Sequence, residues 1–338
     1  MGDGTWGPPG QVSWQRMEDG CEVLLRKWEP EKGQAVGVLH ICHGMAEHSA
    51  RYAEVAQQFV ADGFIVYAPD HRGHGHTALR AEEKGEKGHR LGHVDAVKGK
   101  SAVEQVVDDN ICLCRRAVQE HGLPLVILGH SLGSVIATLV AAKVKVQDVP
   151  AALVLSAAPA RLPAALDVGF GPLLWLLGVI YGLNGVAPLL DTMTFAKYNK
   201  AFAPTATDDD WLNRDAAEVQ KYIKDPLCGF KVSVGFWKGI KAALNAVAKK
   251  ETLLGLRKCP VLVIAGGQDF CAINDLGVDS SQQIVGEFRA AGLEVNKRIY
   301  YGDGRHEVLK ETCREEVLQD LLTFVRRHVT SATPRSRL

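Results

Sequence analysis

The plainest chemical reading in this chain belongs to Gly129-His130-Ser131-Leu132-Gly133. The segment follows the apolar run 125–128 and opens a helical pattern over 135–144. That is the strand–turn–helix setting in which G-x-S-x-G lifts a serine hydroxyl over the end of a sheet. The glycines answer a steric demand, because side chains beside such a tight turn collide with neighbouring backbone. The helix N-terminus then turns free amides toward the reacting centre. A serine hydroxyl is a weak nucleophile until a base takes its proton, so Ser131 calls for a histidine and a carboxylate.

In this chemistry the chain order is nucleophile, acid, histidine, and only two of the twelve histidines follow Ser131. His328 sits in Arg326-Arg327-His328 near the end of the last helical pattern and reads as a solvated surface residue. His306 lies in Tyr301-Gly302-Asp303-Gly304-Arg305-His306, just after the expected strand 295–300, and is the expected base. The acid should leave the end of an intervening strand. Val261-Leu262-Val263-Ile264-Ala265-Gly266-Gly267-Gln268-Asp269 supplies one, with Asp269 holding the histidine tautomer and stabilising its imidazolium. Asp303 is nearer in sequence and is the rival, although Gly-Asp-Gly reads as a turn. Two backbone amides must receive the oxyanion. Leu132 follows the nucleophile directly, and Met45 lies in His43-Gly44-Met45, in the loop after the run 36–42.

These residues need a scaffold that presents strand ends, and the pattern supplies one. Strand patterns at 35–42, 64–68, 125–128, 152–155, 260–265 and 295–300, mostly short apolar runs, alternate with helical periodicity, notably over 101–121 and 315–329. Alternation of this kind specifies an α/β fold with a mostly parallel sheet flanked by helices. It breaks near Ser156 and resumes near Lys258, and the interval shows helical patterns such as 232–247 and no strand. The expected organisation is therefore an α/β core in two parts, 1–157 and 258–338, with a helical cap inserted at 158–257. The charged stretch 80–100 reads as a solvated loop.

Charge and composition narrow the partners. Lys plus Arg equals Asp plus Glu at 39 each, so no global field favours nucleic acid, and an uncharged lipid ester fits at least as well. Eight cysteines are scattered through a long chain whose first residues lack the pattern of a signal peptide, and reduced thiols are expected. Asp208-Asp209-Asp210 and Asp70-His71-Arg72-Gly73-His74-Gly75 look like metal ligands. A carboxylate run without histidine is usually a loop or helix cap, and the second segment reads as a structural turn after the strand at 64–68. No metal and no cofactor are expected.

With those residues in hand, the chain resembles the monoacylglycerol lipase and lysophospholipase group of α/β-hydrolases. His43-Gly44-Met45-Ala46-Glu47-His48-Ser49-Ala50-Arg51-Tyr52 is similar to that group's H-G-x-x-E-H-S-x-R-Y motif. Asp70 to Gly75 resembles its D-x-R-G-H-G turn. Asn213-Arg214-Asp215 and Asp225-Pro226-Leu227 resemble cap segments of bacterial members. The likeness runs from about Trp14 to Val329. It implies that Glu47 and Arg51 organise the polar head of the substrate. It also implies a departure, since mammalian lipases of the group carry a second histidine three residues after the catalytic one, at the glycerol end, where this chain has Leu309.

The expected function is carboxylic-ester hydrolysis of monoacylglycerols or lysophospholipids through a serine acyl-enzyme. A peptidase or amidase on the same scaffold is the rival enzyme, and a hydrolase-like receptor without turnover is the rival of another class. From Val168 to Leu190 no residue is charged, a run long enough to cross a bilayer, which needs about 20 residues. Its glycines and prolines, and its place inside the insertion, favour a lipid-facing lid, with a buried cap helix as the other reading. A cytoplasmic enzyme in reversible contact with a membrane surface follows.

Overall fold

The computed structural model describes residues 6–31, 35–86, 88–145, 150–159, 161, 164–271, 279–300 and 303–332. Tyr301 and Gly302 of the His306 loop lie outside them. The chain opens with β1 (Gln11–Arg16), β2 (Glu22–Trp28) and β3 (Gly37–Cys42), a 3-10 turn at Ser49–Tyr52, then α1 (Ala53–Ala61), β4 (Phe64–Pro69) and α2 (Gly75–Glu83). A small hairpin of β5 (His89–Arg90) and β6 (His93–Val94) leads to α3 (Ala102–His121), β7 (Leu125–His130), α4 (Leu132–Lys143) and β8 (Ala152–Ser156). Six helices follow: α5 (Ala164–Tyr181), α6 (Pro188–Met193), α7 (Phe195–Lys200), α8 (Ala216–Lys224), α9 (Val234–Val247) and α10 (Lys250–Gly255). The chain then returns to the sheet with β9 (Val261–Gly266), α11 (Ser280–Ala290), β10 (Val295–Tyr300) and α12 (Arg314–Ala332).

The main sheet has eight strands in the order β1-β2-β4-β3-β7-β8-β9-β10. Strands β4, β3, β7, β8, β9 and β10 run parallel, and β2 and β1 add an antiparallel edge. The five inner strands β3, β4, β7, β8 and β9 are buried along their whole length. Their near-continuous runs of Val, Ile and Leu follow from having helices on both faces. One face packs Val103, Val107, Ile136 and Ile240 from α3, α4 and α9; the other packs Phe59, Val317, Leu321 and Val325 from α1 and α12. Helix α3 starts on a reciprocal Ser101–Glu104 capping box and stops at Gly122 in the left-handed region at φ 63°, the arrangement that satisfies both sets of free helix-end groups.

All six expected strands form in the expected places. The edge strands β1 and β2 were not anticipated. Strand β2 contains Arg26, which is fully buried and donates to Ser49 Oγ at 3.1 Å and Pro9 O at 3.2 Å, so its charge hid a strand. The stretch 80–100 is a correction. It holds the end of α2 and the β5–β6 hairpin, and His93 is buried between Ser233 Oγ and Asp95. His328, expected to be solvated, lies mostly buried against Phe324, ring centroids 4.6 Å apart.

Between β8 and β9 the described residues form six helices joined by loops, with no strand. These helices differ in attachment. Gly239 of α9 lies against Val103 and Ser101, and Gly255 of α10 lies against the Ala142 carbonyl. These two helices thus belong to the core layer, and α5 to α8 stand over the strand ends. Helix α5 buries Leu174 and Leu177 while exposing Trp175, Leu176, Val179 and Ile180. No helix among the described residues is long and apolar enough to cross a membrane.

Candidate active site

Ser131 sits between β7 and α4 at φ 53°, ψ −124°, a strained conformation for a residue with a side chain. The flanking glycines are forced by packing. A Cβ on Gly129 would meet the Gly133 carbonyl at 2.2 Å, and one on Gly133 would meet the Cys42 carbonyl at 2.0 Å. The nucleophile turn is thereby pressed against the end of β3, next to the loop that carries Gly44 and Met45.

His306 and Asp269 meet behind the serine. His306 Nδ1 lies 2.9 Å from Asp269 Oδ1, with the imidazole 3% exposed and the carboxylate 0%. Asp269 Oδ1 also accepts from the Cys271 amide at 3.0 Å. Burial works to lower the His306 pKa, yet Asp269 by charge and hydrogen bond, helped by Glu307 and Glu47, raises it above the ordinary value. Asp303, the rival acid, is exposed and paired with Arg214. Ser131 and His306 line one cavity of about 250 Å³. No hydrogen bond joins them here, and bonds of this kind commonly tighten only when substrate packs against them. Cys271 lines the same cavity, and burial pushes its thiol well up in pKa.

The loop after β3 is locked by side chains. His43 Nε2 accepts from the His71 amide at 2.9 Å, so the ring proton is on Nδ1, which donates to the Gly44 carbonyl at 2.8 Å. The Gly44 amide donates to Glu47 Oε1 at 2.6 Å. With the Gly44 carbonyl held toward His43, a trans peptide points the Met45 N–H the other way. Neither the Met45 nor the Leu132 amide meets an acceptor among the described residues. The turn Asp70 to Gly75 buttresses this loop: Asp70 accepts from Ser49 and His76, Arg72 is bidentate on Asp109, and His43 stacks on His71 at 3.9 Å. Asp210 of the acidic run is spent on Ala206 and Thr207.

Glu47 and Arg51 line the cavity at its polar end. Glu47 accepts from Tyr52 Oη at 2.7 Å and Arg51 Nη1 at 2.6 Å. Arg51 in turn reaches Glu307 Oε1 at 2.7 Å and lies over the rings of Trp6 and Tyr222, each 4.8 Å away. Burial tends to raise both carboxyls, but Arg51 and Lys310 hold Glu47 well below its usual range and bring Glu307 down to about 2. Glu307, Lys310, Trp6, Trp211 and Tyr222 were not singled out from the sequence. The signal for Glu307 was its place beside His306; Trp6, at the far N-terminus, offered none. Leu309 is packed in the core beside α1 and α12 and does not reach the cavity. Much of the rest of the wall is apolar, including Phe170, Leu190, Met193, Trp237, Ile240 and Leu244, and Arg161, Asp167, Lys197, Lys241 and Asn245 add polar groups to it.

A family model described as Serine aminopeptidase, S33 (Hydrolase_4) matches residues 33–313. The chain is 28% identical over 316 residues to the monoacylglycerol lipase of Mycolicibacterium smegmatis, covering 92% of this chain and 95% of that one. It is 30% identical over 256 residues to the monoglyceride lipase of Homo sapiens, covering 74% and 71%. A solved carboxyl esterase from Bacillus coagulans, in complex with glycerol, shares the fold with a TM-score of 0.80 at 23% identity, over 94% of this chain and 98% of its own. The chain belongs to the Hydrolase_4 family of serine hydrolases and, within the α/β-hydrolase superfamily, to the monoacylglycerol lipase group.

Proposed function

We propose that this enzyme hydrolyses the acyl ester of monoacylglycerols and related single-chain lipids such as lysophospholipids, with Ser131, Asp269 and His306 as its triad. The observation that carries the reading is the buried His306–Asp269 bond of 2.9 Å beside the cavity that Ser131 enters. His306 takes the Ser131 proton as the hydroxyl attacks the ester carbonyl, and the tetrahedral oxyanion is received by the Met45 and Leu132 amides. His306 then protonates the leaving alcohol. Water, activated by the same imidazole, hydrolyses the acyl-enzyme. Glu47 and Arg51 bound the alcohol end, and the apolar wall takes the acyl chain. No step calls for a cofactor.

The family's description as an aminopeptidase raises the rival directly. An aminopeptidase must hold a free α-ammonium on an available carboxylate. Here Glu47 and Glu307 are both engaged by Arg51, with Lys310 3.9 and 3.7 Å away. That supports an uncharged alcohol at the same end.

We assign α5 to α8 of the insertion 158–257 as the cap over the strand ends, with α9 and α10 in the core layer, and read α5 as its lipid-facing lid. The exposure of Trp175 at 64%, Val179 at 64% and Ile180 at 61% supports reversible contact with a membrane surface. Eight unpaired thiols fit a cytoplasmic placement. The test is a hydrolysis screen of long-chain monoacylglycerols, lysophospholipids, p-nitrophenyl acetate and aminoacyl amides. The proposal expects monoacyl lipids to lead; preference for the amides would overturn it.

A further inference from the structure

The imidazole of His306 has an aromatic neighbour that the triad does not require. Trp211 lies in the segment between α7 and α8, is 6% exposed, and brings its ring centroid 4.9 Å from that of His306 at an interplanar angle of 37°. The segment is built to hold it there. Its backbone N–H donates to Asn199 Oδ1 at 3.0 Å, and Asn199 is itself buried and donates to the Thr207 carbonyl at 2.7 Å. Glu307 N–H donates to the Leu212 carbonyl at 2.8 Å, and Arg305 donates to the carbonyls of Asp210 and Asn213, so this segment and the histidine loop move as one. Phe195 stacks on the indole at 5.6 Å and 28°, and Tyr198 packs on it at 5.4 Å.

The indole N–H is not what this placement uses. Trp211 Nε1 is buried and has no hydrogen-bond partner among the described residues. An orphaned buried donor carries a desolvation cost that phenylalanine would avoid. What the indole has and an aliphatic side chain lacks is an electron-rich face, which among aromatic side chains attracts cations best. His306 becomes a cation once per proton transfer, with its ring almost wholly buried.

We infer that Trp211 is a positioning residue whose indole face steadies the imidazolium that His306 becomes on taking the Ser131 proton. The inference rests on the triad proposed above. The groups facing His306 are few. Asp269 comes from the loop after β9, neutral His130 from the elbow with ring centroids 4.9 Å apart, Glu307 from its own loop and Glu47 from the loop after β3. The last two carboxylates are neutralised by Arg51 and Lys310. On the Trp211 segment itself, Asp210 is spent on Ala206 and Thr207, and Arg214 on Glu311 and Asp303.

The test is the titration of His306, read by NMR on ¹³C-labelled histidine in the resting protein, for wild type, Trp211→Phe and Trp211→Leu. The titration needs no substrate, so it stands or falls separately from the ester reading. Loss of the indole face should lower the His306 pKa by about half to one unit in Trp211→Leu and by less in Trp211→Phe. The acid limb of kcat/KM should move to lower pH by the same amount, and the plateau should fall about three- to tenfold. A purely structural tryptophan would lower the rate and leave the limb in place. An unmoved His306 titration in Trp211→Phe and Trp211→Leu, with near-native melting temperatures, overturns the inference. Should Trp211→Leu not fold, Trp211→Phe alone decides it by its smaller downward shift.

Discussion

Arg51 and Glu307 stand 256 positions apart in the chain and are joined by two contacts, Nη1 to Oε1 at 2.7 Å and Nη2 to Oε2 at 3.1 Å. Through Glu47, the same guanidinium reaches the Gly44 amide. One buried cation therefore ties the loop that offers the Met45 amide to the loop that carries His306.

Arg51→Met should be far more damaging than the loss of one surface ion pair. It leaves Glu47 and Glu307 buried with Lys310 as their remaining cation, and breaking a buried pair of this kind costs about 3–5 kcal/mol. Glu307→Gln, which keeps a hydrogen-bond acceptor, should cost less in stability but still slow turnover. Denaturant melts and kcat for both variants check this. Equal, small effects would mean the link is dispensable.

Ser131→Ala and His306→Ala should each abolish ester hydrolysis, by up to about 10⁶-fold in kcat, since triad members act as a unit. Asp269→Asn should cost about 10⁴-fold. Asp303→Asn, at an exposed residue paired with Arg214, should cost little. If Asp303→Asn is the crippling change, Asp269 is not the acid.

Acid should destabilise the fold early. Burial lowers the pKa of His40 to about 4 and of His74 and His130 to about 3, and it lowers His43 and His71 as well. Such groups contribute stability that is present above the unfolded-state value near 6.5. It is lost as pH falls toward the folded value, at about 1.4 kcal/mol per pH unit for each group. His306, whose pKa is raised, runs the other way: its share is full at low pH and lost as pH rises through its folded value. Below about pH 4.5 the depressed Glu47 and Glu307 add to the loss. The melting temperature should drop steeply between pH 7 and pH 5. A flat profile there would contradict the neutral histidine layer behind the oxyanion loop.

Trp175 and Leu176 are exposed at 64% and 47%, so replacing both with Ser should leave the melting temperature nearly unchanged. Burying such side chains in a lipid surface is worth roughly 1.5–3 kcal/mol each. Liposome binding should therefore weaken by at least about tenfold. Long-chain esters should be cleaved more slowly while p-nitrophenyl acetate is not. Equal loss on both substrates would make α5 core structure and end the lid reading.

The sheet was legible because its inner strands are buried on both faces and read as unbroken Val, Ile and Leu runs. The edge pair was not: β1 alternates Gln, Ser and Gln with Val and Trp, and β2 carries a buried arginine. Ser131 and its glycines were legible because steric demand leaves a fixed spacing, and His306 because few histidines follow the serine. Glu307, Lys310 and Trp211 were hidden for a physical reason. Their neighbours come from segments far away in the chain, and neither charge nor aromaticity alone signals which buried partner a side chain will find. Leu309, where the resemblance implies a departure, packs in the core beside α1 and α12.

Strands β8 and β9 are hydrogen-bonded neighbours, Leu153 opposite Val261 and Ser156 opposite Ile264, yet the whole cap is threaded between them. During synthesis the elbow serine emerges well before the strands that bring its carboxylate and imidazole. Until β9 docks, β8 presents an open edge, the kind of template that recruits foreign strands. On the proposed triad, the half-made sheet also holds a serine without its base. The nascent polypeptide then cannot hydrolyse a lipid ester until the last quarter of the molecule closes the sheet, and the same step that completes the fold switches on the chemistry.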